Sequence, residues 1–203
     1  MGLRERKKER MRDQLAATAC HLFTEQGYEA TTVEQIAAAM DVSSRTFFRY
    51  YPTKADVATA LLQTVGLNTL QALAVRPRTE PLMTSLRIAA HAPVDACQER
   101  TGEVFKVLRM LEGNPALRGH LHEEQVRMRD QLASTIADRL EIGEASDLRP
   151  RLIADLLVSA LGAALDHWCR TGGRTDLRQT VDAALDVLDC GVRNTVGAGV
   201  ADG

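Results

Sequence analysis

The residues best equipped for chemistry fall in one short stretch, Ser43-Ser44-Arg45-Thr46-Phe47-Phe48-Arg49-Tyr50-Tyr51-Pro52-Thr53-Lys54. It holds four of the chain's eight aromatic residues, with two arginines and two serines among them. On a helix, Phe47 and Tyr51 lie four apart and can point inward together with Val42. Ser44, Arg45, Phe48 and Arg49 then share the opposite side. One apolar stripe is enough to dock a helix on a core. The second set, with its hydroxyl, guanidinium and aromatic groups, therefore makes an outward surface suited to base edges and phosphates in a DNA major groove. Pro52 ends the helix, and Thr53 caps the next one with Asp56 at its N3 position. Lys54, in that helix's first turn, opposes the helix dipole. A phosphate partner would offset that small cost; a solvated lysine is the alternative.

Other reactive combinations carry less. His120-x-His122 places its two side chains about 200° apart on a helix, so they cannot share a metal without a distant third group. Asp166, His167 and Cys169 are triad residue types, but they lie on one helix at spacings that do not build nucleophile, base and orienter. No Gly-rich phosphate loop, H-E-x-x-H or G-x-S-x-G occurs. No metal, cofactor or catalytic role is expected.

The elements that must position the central stretch come before it. Leu15, Ala19, Leu22 and Phe23 make one helical face, closed by Gly27. Thr32-Val33-Glu34-Gln35 is a capping box opening a short helix over 33–40, with Val33, Ile36, Ala37 and Met40 as its apolar face. Asp41 tolerates the left-handed conformation that the following turn needs, and Ser43 is a new N-cap. Helix, short turn and helix make a helix-turn-helix. Residues 2–13 form a basic lead-in with two open readings, a solvated helix start or a phosphate-contacting arm.

Composition sets the frame. The chain has 203 residues, only 4% aromatic, with no sustained alternation of period two, which predicts an all-α fold. Net charge is -2, but residues 1–54 carry nine Lys/Arg against seven Asp/Glu, so the N-terminal part is basic and the remainder acidic. Cys20, Cys97, Cys169 and Cys190 are widely separated and fall in helical segments, which predicts reduced, buried thiols and a cytoplasmic location. No apolar run approaches 18 residues and the basic N-terminus lacks an apolar h-region, so neither membrane spanning nor secretion is expected.

From about Ala16 to Leu62 the sequence resembles the tetracycline-repressor (TetR) family of bacterial transcription regulators. The resemblance rests on Phe23-x-x-x-Gly27-Tyr28, Thr31-Thr32-Val33, Ile36-Ala37 and Val42-Ser43-x-x-Thr46-Phe47-Phe48-x-Tyr50-Tyr51-x-x-Lys54. The wording Ser-Arg-Thr-Phe-Phe-Arg-Tyr-Tyr is similar to a largely actinobacterial subgroup that includes the mycofactocin-locus regulator and is described as binding acyl-CoA-like ligands. By position, the resemblance implies base contacts from Ser44, Arg45 and Phe48. It implies phosphate contacts from Thr32, Thr46, Arg49, Tyr50 and Lys54. Asp41 departs from the family's usual turn glycine, and Tyr51 from its commoner Phe, adding a hydroxyl that must find a partner.

Helix 4 is expected from Thr53 to about Ala74, and Arg76-Pro77-Arg78-Thr79-Glu80-Pro81 breaks the chain. Helical segments follow over 82–99, 101–112, 115–141, 148–171 and 175–194, with Pro93 expected to kink or split the first. The result is a three-helix helix-turn-helix head (1–52) on a larger helical ligand-binding and dimerisation body (53–196), about nine helices in all, with a disordered tail (197–203). Ile153, Leu157, Leu161, Ala164 and Trp168 make one stripe; Leu152, Leu156, Ala160 and Ala163 make a second. Val181, Leu185 and Leu188 give the last helix its own face. The resemblance implies a homodimer through these helices, with Ile153, Leu157, Leu161, Ala164, Val181, Leu185 and Leu188 in the interface; packing within one subunit is the alternative. His91, Phe105, Leu108, Met110, Leu121, Met128 and Trp168 are candidates to line an effector pocket, or else ordinary core. Arg87 and Arg109 are candidates to meet an anionic ligand group. Together these predict a homodimeric, ligand-responsive repressor of a pseudo-palindromic double-stranded DNA operator, released by a small effector. The alternatives are a regulator without a small-molecule effector, and a helical enzyme or carrier.

Overall fold

The computed structural model describes residues 2–96, 101–143 and 147–197. Among these residues the chain is entirely helical in its regular structure, with nine helices and no strand. The last part of the 82–99 segment, Cys97 and the expected tail beyond Gly197 lie outside the described residues. Two compact units arise, one from Met1–Gln63 with Gly102–His122, the other from the described residues within Thr64–Thr101 and Glu123–Gly203. Neither coincides with a division at residue 52. The first turns of helix 4 and part of the 101–122 stretch share a core with the head.

The first unit begins with α1 (Leu3–Gln26), α2 (Val33–Ala39) and α3 (Ser44–Tyr50). Leu15, Ala19 and Phe23 of α1 are buried against Ile36 and Ala37 of α2 and Phe47 of α3. Gly27 ends α1 at φ 87, ψ 152, a backbone region open essentially to glycine alone. The Thr32 hydroxyl accepts from the Gln35 N–H while the Thr32 N–H donates to the Gln35 side chain at 2.8 Å, completing the capping box. Val57, Ala58 and Ala60 of α4 (Lys54–Ala74) join this core, as do Val107 and Leu111 of α6 (Thr101–Gly113) and Leu117 of α7 (Pro115–Leu140).

Asp41 sits in the α2–α3 turn at φ 54, in the left-handed region. A side chain there costs about 1 kcal/mol relative to glycine. Asp41→Gly is therefore expected to raise stability only slightly, by up to about 0.5 kcal/mol after glycine's entropy loss, and Asp41→Val to lower it. Denaturant melts of the two variants check the sign.

The second unit contains the rest of α4 and α7, α5 (Leu82–Ala96), α8 (Arg149–Arg170) and α9 (Leu177–Gly197). Leu86, Ala89 and Ala90 of α5, Leu132, Ala133 and Ile136 of α7, Ala154, Leu157, Val158 and Ala164 of α8, and Val181 and Leu185 of α9 form its core. α5 continues through Pro93 to Ala96 as one helix. By length and composition α8 could cross a membrane, since its charges lie near its ends. Its Leu157, Val158, Ala164 and Trp168 are nonetheless buried in the chain.

Two polar networks lock this unit. The Arg139 guanidinium reaches the Arg76, Pro77 and Glu80 carbonyls and the Ser85 hydroxyl, fixing the α4–α5 loop. Glu80 pairs with Arg76 and accepts from Ser85 Oγ at 2.5 Å. The Arg76 hydrogen bond, then that of Ser85, holds its carboxyl well below the ordinary 4.5, at about 2. Because the folded pKa is depressed, this contribution is complete above the ordinary value and is lost as pH falls from about 4.5 towards about 2. Glu80→Gln should therefore flatten the acid limb of stability against pH, measured by thermal melts across that window. Along α5 and α9 runs an ion ladder. Arg87 donates to Asp182 at 2.7 Å and to Asp186 at 2.6 Å, His91 Nε2 lies 2.8 Å from Asp182, and Arg178 pairs with Asp95. The residues step by four on each helix, so the rungs align.

Candidate nucleic-acid interface

α3 is short, and its capping decides its direction. The Ser43 hydroxyl accepts from the Thr46 N–H at 3.1 Å and lies 3.0 Å from the Thr46 hydroxyl. The cap starts the helix immediately after the Asp41 turn. Phe47 is 0% exposed and Tyr51 1%, so this side is the structural one. The Tyr51 hydroxyl finds its partner in the Arg12 carbonyl at 3.1 Å, and the Arg12 guanidinium lies 4.9 Å from the ring centre. Burial pushes the Tyr51 hydroxyl pKa up, with Arg12 opposing.

The other side stands open. Arg45 and Arg49 are exposed, Ser44, Thr46 and Tyr50 half-buried, and Phe48 is 49% exposed despite its size. Phe48 rests edge-on against Phe47, ring centres 5.5 Å apart, which fixes the orientation of an otherwise solvent-facing ring. Arg49 lies over the Tyr50 ring at 5.1 Å. Arg45 has no ion-pair partner among the described residues. Ser43, Arg45, Thr46, Phe48 and Arg49 line one open concavity of about 510 Å³. Thr32 is exposed at the head of α2, its oxygen used by the cap and its O–H proton available.

Lys54 is placed differently from a freely reaching cation. Its ammonium donates to the Tyr28 carbonyl at 2.9 Å and the Thr31 carbonyl at 3.0 Å, and lies 4.2 Å from the Tyr28 ring centre. Those acceptors are the C-terminal loop of α1, so Lys54 ties the helix-turn-helix to α4 and keeps at most one N–H for an outside acceptor. Sequence reasoning missed this tie, because backbone carbonyls leave no mark in residue types.

The chain matches known proteins over most of its length. A model described as bacterial regulatory proteins, tetR family, matches residues 15–61, and one described as the MftR C-terminal domain matches residues 80–193. The HTH-type transcriptional regulator TcmR of Streptomyces glaucescens is 35% identical, over 92% of this chain and 86% of that protein. The chain belongs to the TetR family. A mycofactocin biosynthesis transcriptional regulator, MftR of Mycobacterium tuberculosis, is 28% identical over 88% of this chain and 89% of that protein. Among solved structures, FadR of Thermus thermophilus, a TetR-family repressor in complex with lauroyl-CoA, shares the fold at a TM-score of 0.56 and 22% identity, covering 87% and 92% of the two chains. As a TetR-family transcriptional regulator, the chain has α2 and α3 as its helix-turn-helix.

The remaining candidate residues are shared between the two units. Leu108, Met110 and Leu121 pack on the core of the first unit. Phe105 is half-buried in that unit. In the second unit Met128 packs beside Gly66, and the fully buried Trp168 donates its indole N–H to the Thr175 carbonyl at 2.9 Å. His91 is buried on the ion ladder with its Nδ1 unpartnered among the described residues. Arg87 is taken up by Asp182 and Asp186 rather than left for a ligand, and Arg109 is exposed.

The proposed interface residues also divide. Leu157, Ala164, Val181 and Leu185 are buried by their own chain, with Ile153, Leu161 and Leu188 packed partly against them. Leu157, Ala164, Val181 and Leu185 therefore spend their side chains on the core of their own subunit, while Ile153, Leu161 and Leu188 keep part of their surface open. α8 leaves Leu152, 48% exposed, Ser159 and Ala163 open on one side, and α9 leaves Ala183 and Val187, 75% exposed. Periodicity identified both stripes of α8 but not which of them the chain would cover. Of the cysteines, Cys169 is buried and Cys20 half-buried, while Cys190 is exposed rather than buried as expected.

Proposed function

We propose that this regulator is a cytoplasmic homodimeric repressor whose α3 helices read two half-sites of a pseudo-palindromic operator, and which an apolar, acyl-CoA-like effector releases. One observation carries the DNA part. α3 turns Arg45, Phe48 and Arg49 outward from a fully packed opposite side, which leaves charge and aromatic surface with no use inside the fold. Ser44, Arg45 and Phe48 contact base edges. Thr32, Thr46, Arg49 and Tyr50 contact phosphates, and Lys54 mainly holds the loop that presents Thr32. Two heads spaced about one helical turn, roughly 34–36 Å, read a two-fold site. The uncovered Leu152, Ser159 and Ala163 of α8 and Val187 of α9 support pairing through these helices, since small residues such as Ser159 and Ala163 let helices approach closely. The match to the MftR C-terminal domain supports the effector class. So does FadR of the same fold with its lauroyl-CoA.

Release is a population shift. An effector that binds the non-operator conformation more tightly lowers operator affinity by its differential affinity for the two states. The test uses a duplex enriched by the protein from a randomised pool and measures fluorescence anisotropy at two salt concentrations, with and without lauroyl-CoA. Salt-dependent, sequence-selective binding that the acyl-CoA reverses is expected, with a species of twice the 22.2 kDa chain mass in the ultracentrifuge. Selective binding unaffected by lauroyl-CoA and other acyl-CoA esters would remove the effector. A monomer on DNA would remove the paired half-sites.

A further inference from the structure

α1 is longer than its core requires. Its first buried residue is Leu15, and Leu3–Arg10 are all exposed, an overhang of about two turns beyond the last packed residues. Only Met11, half-buried on the head core, and Arg12, through Tyr51, tie its base down. The overhang carries Arg4, Lys7 and Lys8 at spacings i, i+3 and i+4, which places them on one helical face. No ion pair joins any of the three to a carboxylate among the described residues. Cations at this end also oppose the helix dipole, a local cost that an anionic partner would reverse.

That face is one wall of a groove. A concavity of about 730 Å³ runs between it and the end of α3, where Arg49 and Tyr50 form the other wall. Four cations line it against the single carboxylate of Glu5. Arg49 also borders the concavity made by Arg45, Thr46 and Phe48, so the groove and the reading face of α3 share this residue.

We propose that this groove is a second DNA-contacting surface, holding the phosphodiester backbone that flanks each half-site, with Arg4, Lys7 and Lys8 as the phosphate contacts and Arg49 shared between flank and half-site. It rests on the operator-binding reading above. It adds affinity without sequence preference, because phosphates carry no base identity. Charge complementarity and continuity with the α3 face make DNA the occupant, rather than an anionic membrane or an acidic protein. Tyr50 and the Met11 side chain give the sugar edges something apolar to rest on.

The test compares the wild-type protein with the variant Arg4→Gln/Lys7→Gln/Lys8→Gln on a duplex of about 40 base pairs enriched by the wild-type protein from a randomised pool. All three substitutions lie on exposed helix, so the melting temperature and the enriched sequence should not change. Three lost phosphate contacts per subunit, six for the dimer on its two half-sites, should lower the slope of log affinity against log salt by about 5.4, so that the wild-type advantage narrows by about three orders of magnitude between 50 and 200 mM salt. Removing about five base pairs from each flank should weaken the wild type and leave the variant almost unaffected. A slope change below one, or equal loss by both proteins on the shortened duplex, overturns the groove while leaving the α3 reading intact. Failure of the wild type to enrich any sequence overturns the α3 reading itself and the groove with it.

Discussion

Arg45→Ala is expected to weaken binding to the enriched duplex about 5- to 150-fold per half-site while leaving affinity for unrelated duplex nearly unchanged. The reason lies in how Arg45 is held. It is exposed on the outward side of α3, has no ion-pair partner among the described residues, and projects beside Phe48 into the same concavity. A guanidinium so placed can meet a guanine edge with two hydrogen bonds, and no other base presents the same pair of acceptors. Phe48→Ala should show the same pattern, since its ring is braced by Phe47 at 5.5 Å yet remains 49% exposed. Neither change empties a buried space, so thermal stability should stay within about 0.5 kcal/mol of wild type. Anisotropy titrations on selected and scrambled duplexes, with a thermal melt of each variant, check both halves. Equal loss on both duplexes would remove Arg45 from the base contacts.

Phe47→Ala should do the reverse. The neighbouring residue on the same helix is 0% exposed and meets Tyr51, ring centres 6.0 Å apart, with Leu15, Ile36 and Ala37 in the same core. Truncating a buried phenylalanine costs about 3–5 kcal/mol, a large part of the roughly 5–15 kcal/mol that keeps a domain folded. For a chain of this size the melting temperature should fall by about 6–20 °C. Whatever binding survives should be reduced on all sequences alike, because the loss is one of folded heads rather than of a contact. A melting point within about 2 °C of wild type would show that α3 does not rely on this residue for its docking.

The contrast between Phe47 and Phe48 was legible in the sequence because helical geometry is local. Once Ser43 caps the helix, a spacing of four puts Tyr51 with Phe47 and turns Phe48 away. The three caps, Thr32 with Gln35, Ser43 with Thr46 and Thr53 with Asp56, each span three residues and could be read for the same reason. Asp41 was identified as the turn residue from its tolerance of positive φ, and it has it. What could not be read depends on contacts distant in sequence. Lys54 meets carbonyls 23 and 26 residues away, and a carbonyl has no residue type. Arg87 finds Asp182 and Asp186 on α9, nearly a hundred positions later. Leu108 and Met110 pack on the head core because α6 folds back onto it, which no periodicity within 101–113 encodes. α8 is apolar on both sides, so its pattern left open which stripe would face inward.

Whether the outward side of α3 reads base identity is tested by a base-preference profile. Wild-type protein and Arg45→Ala are each taken through selection from the same randomised duplex pool, and the enriched sequences are compared position by position. The wild type should select two symmetric half-sites. For the variant, preference should be lost at one base pair in each half-site and kept at every other position. A variant profile identical to the wild type, or one degraded evenly across the site, would contradict base reading by Arg45.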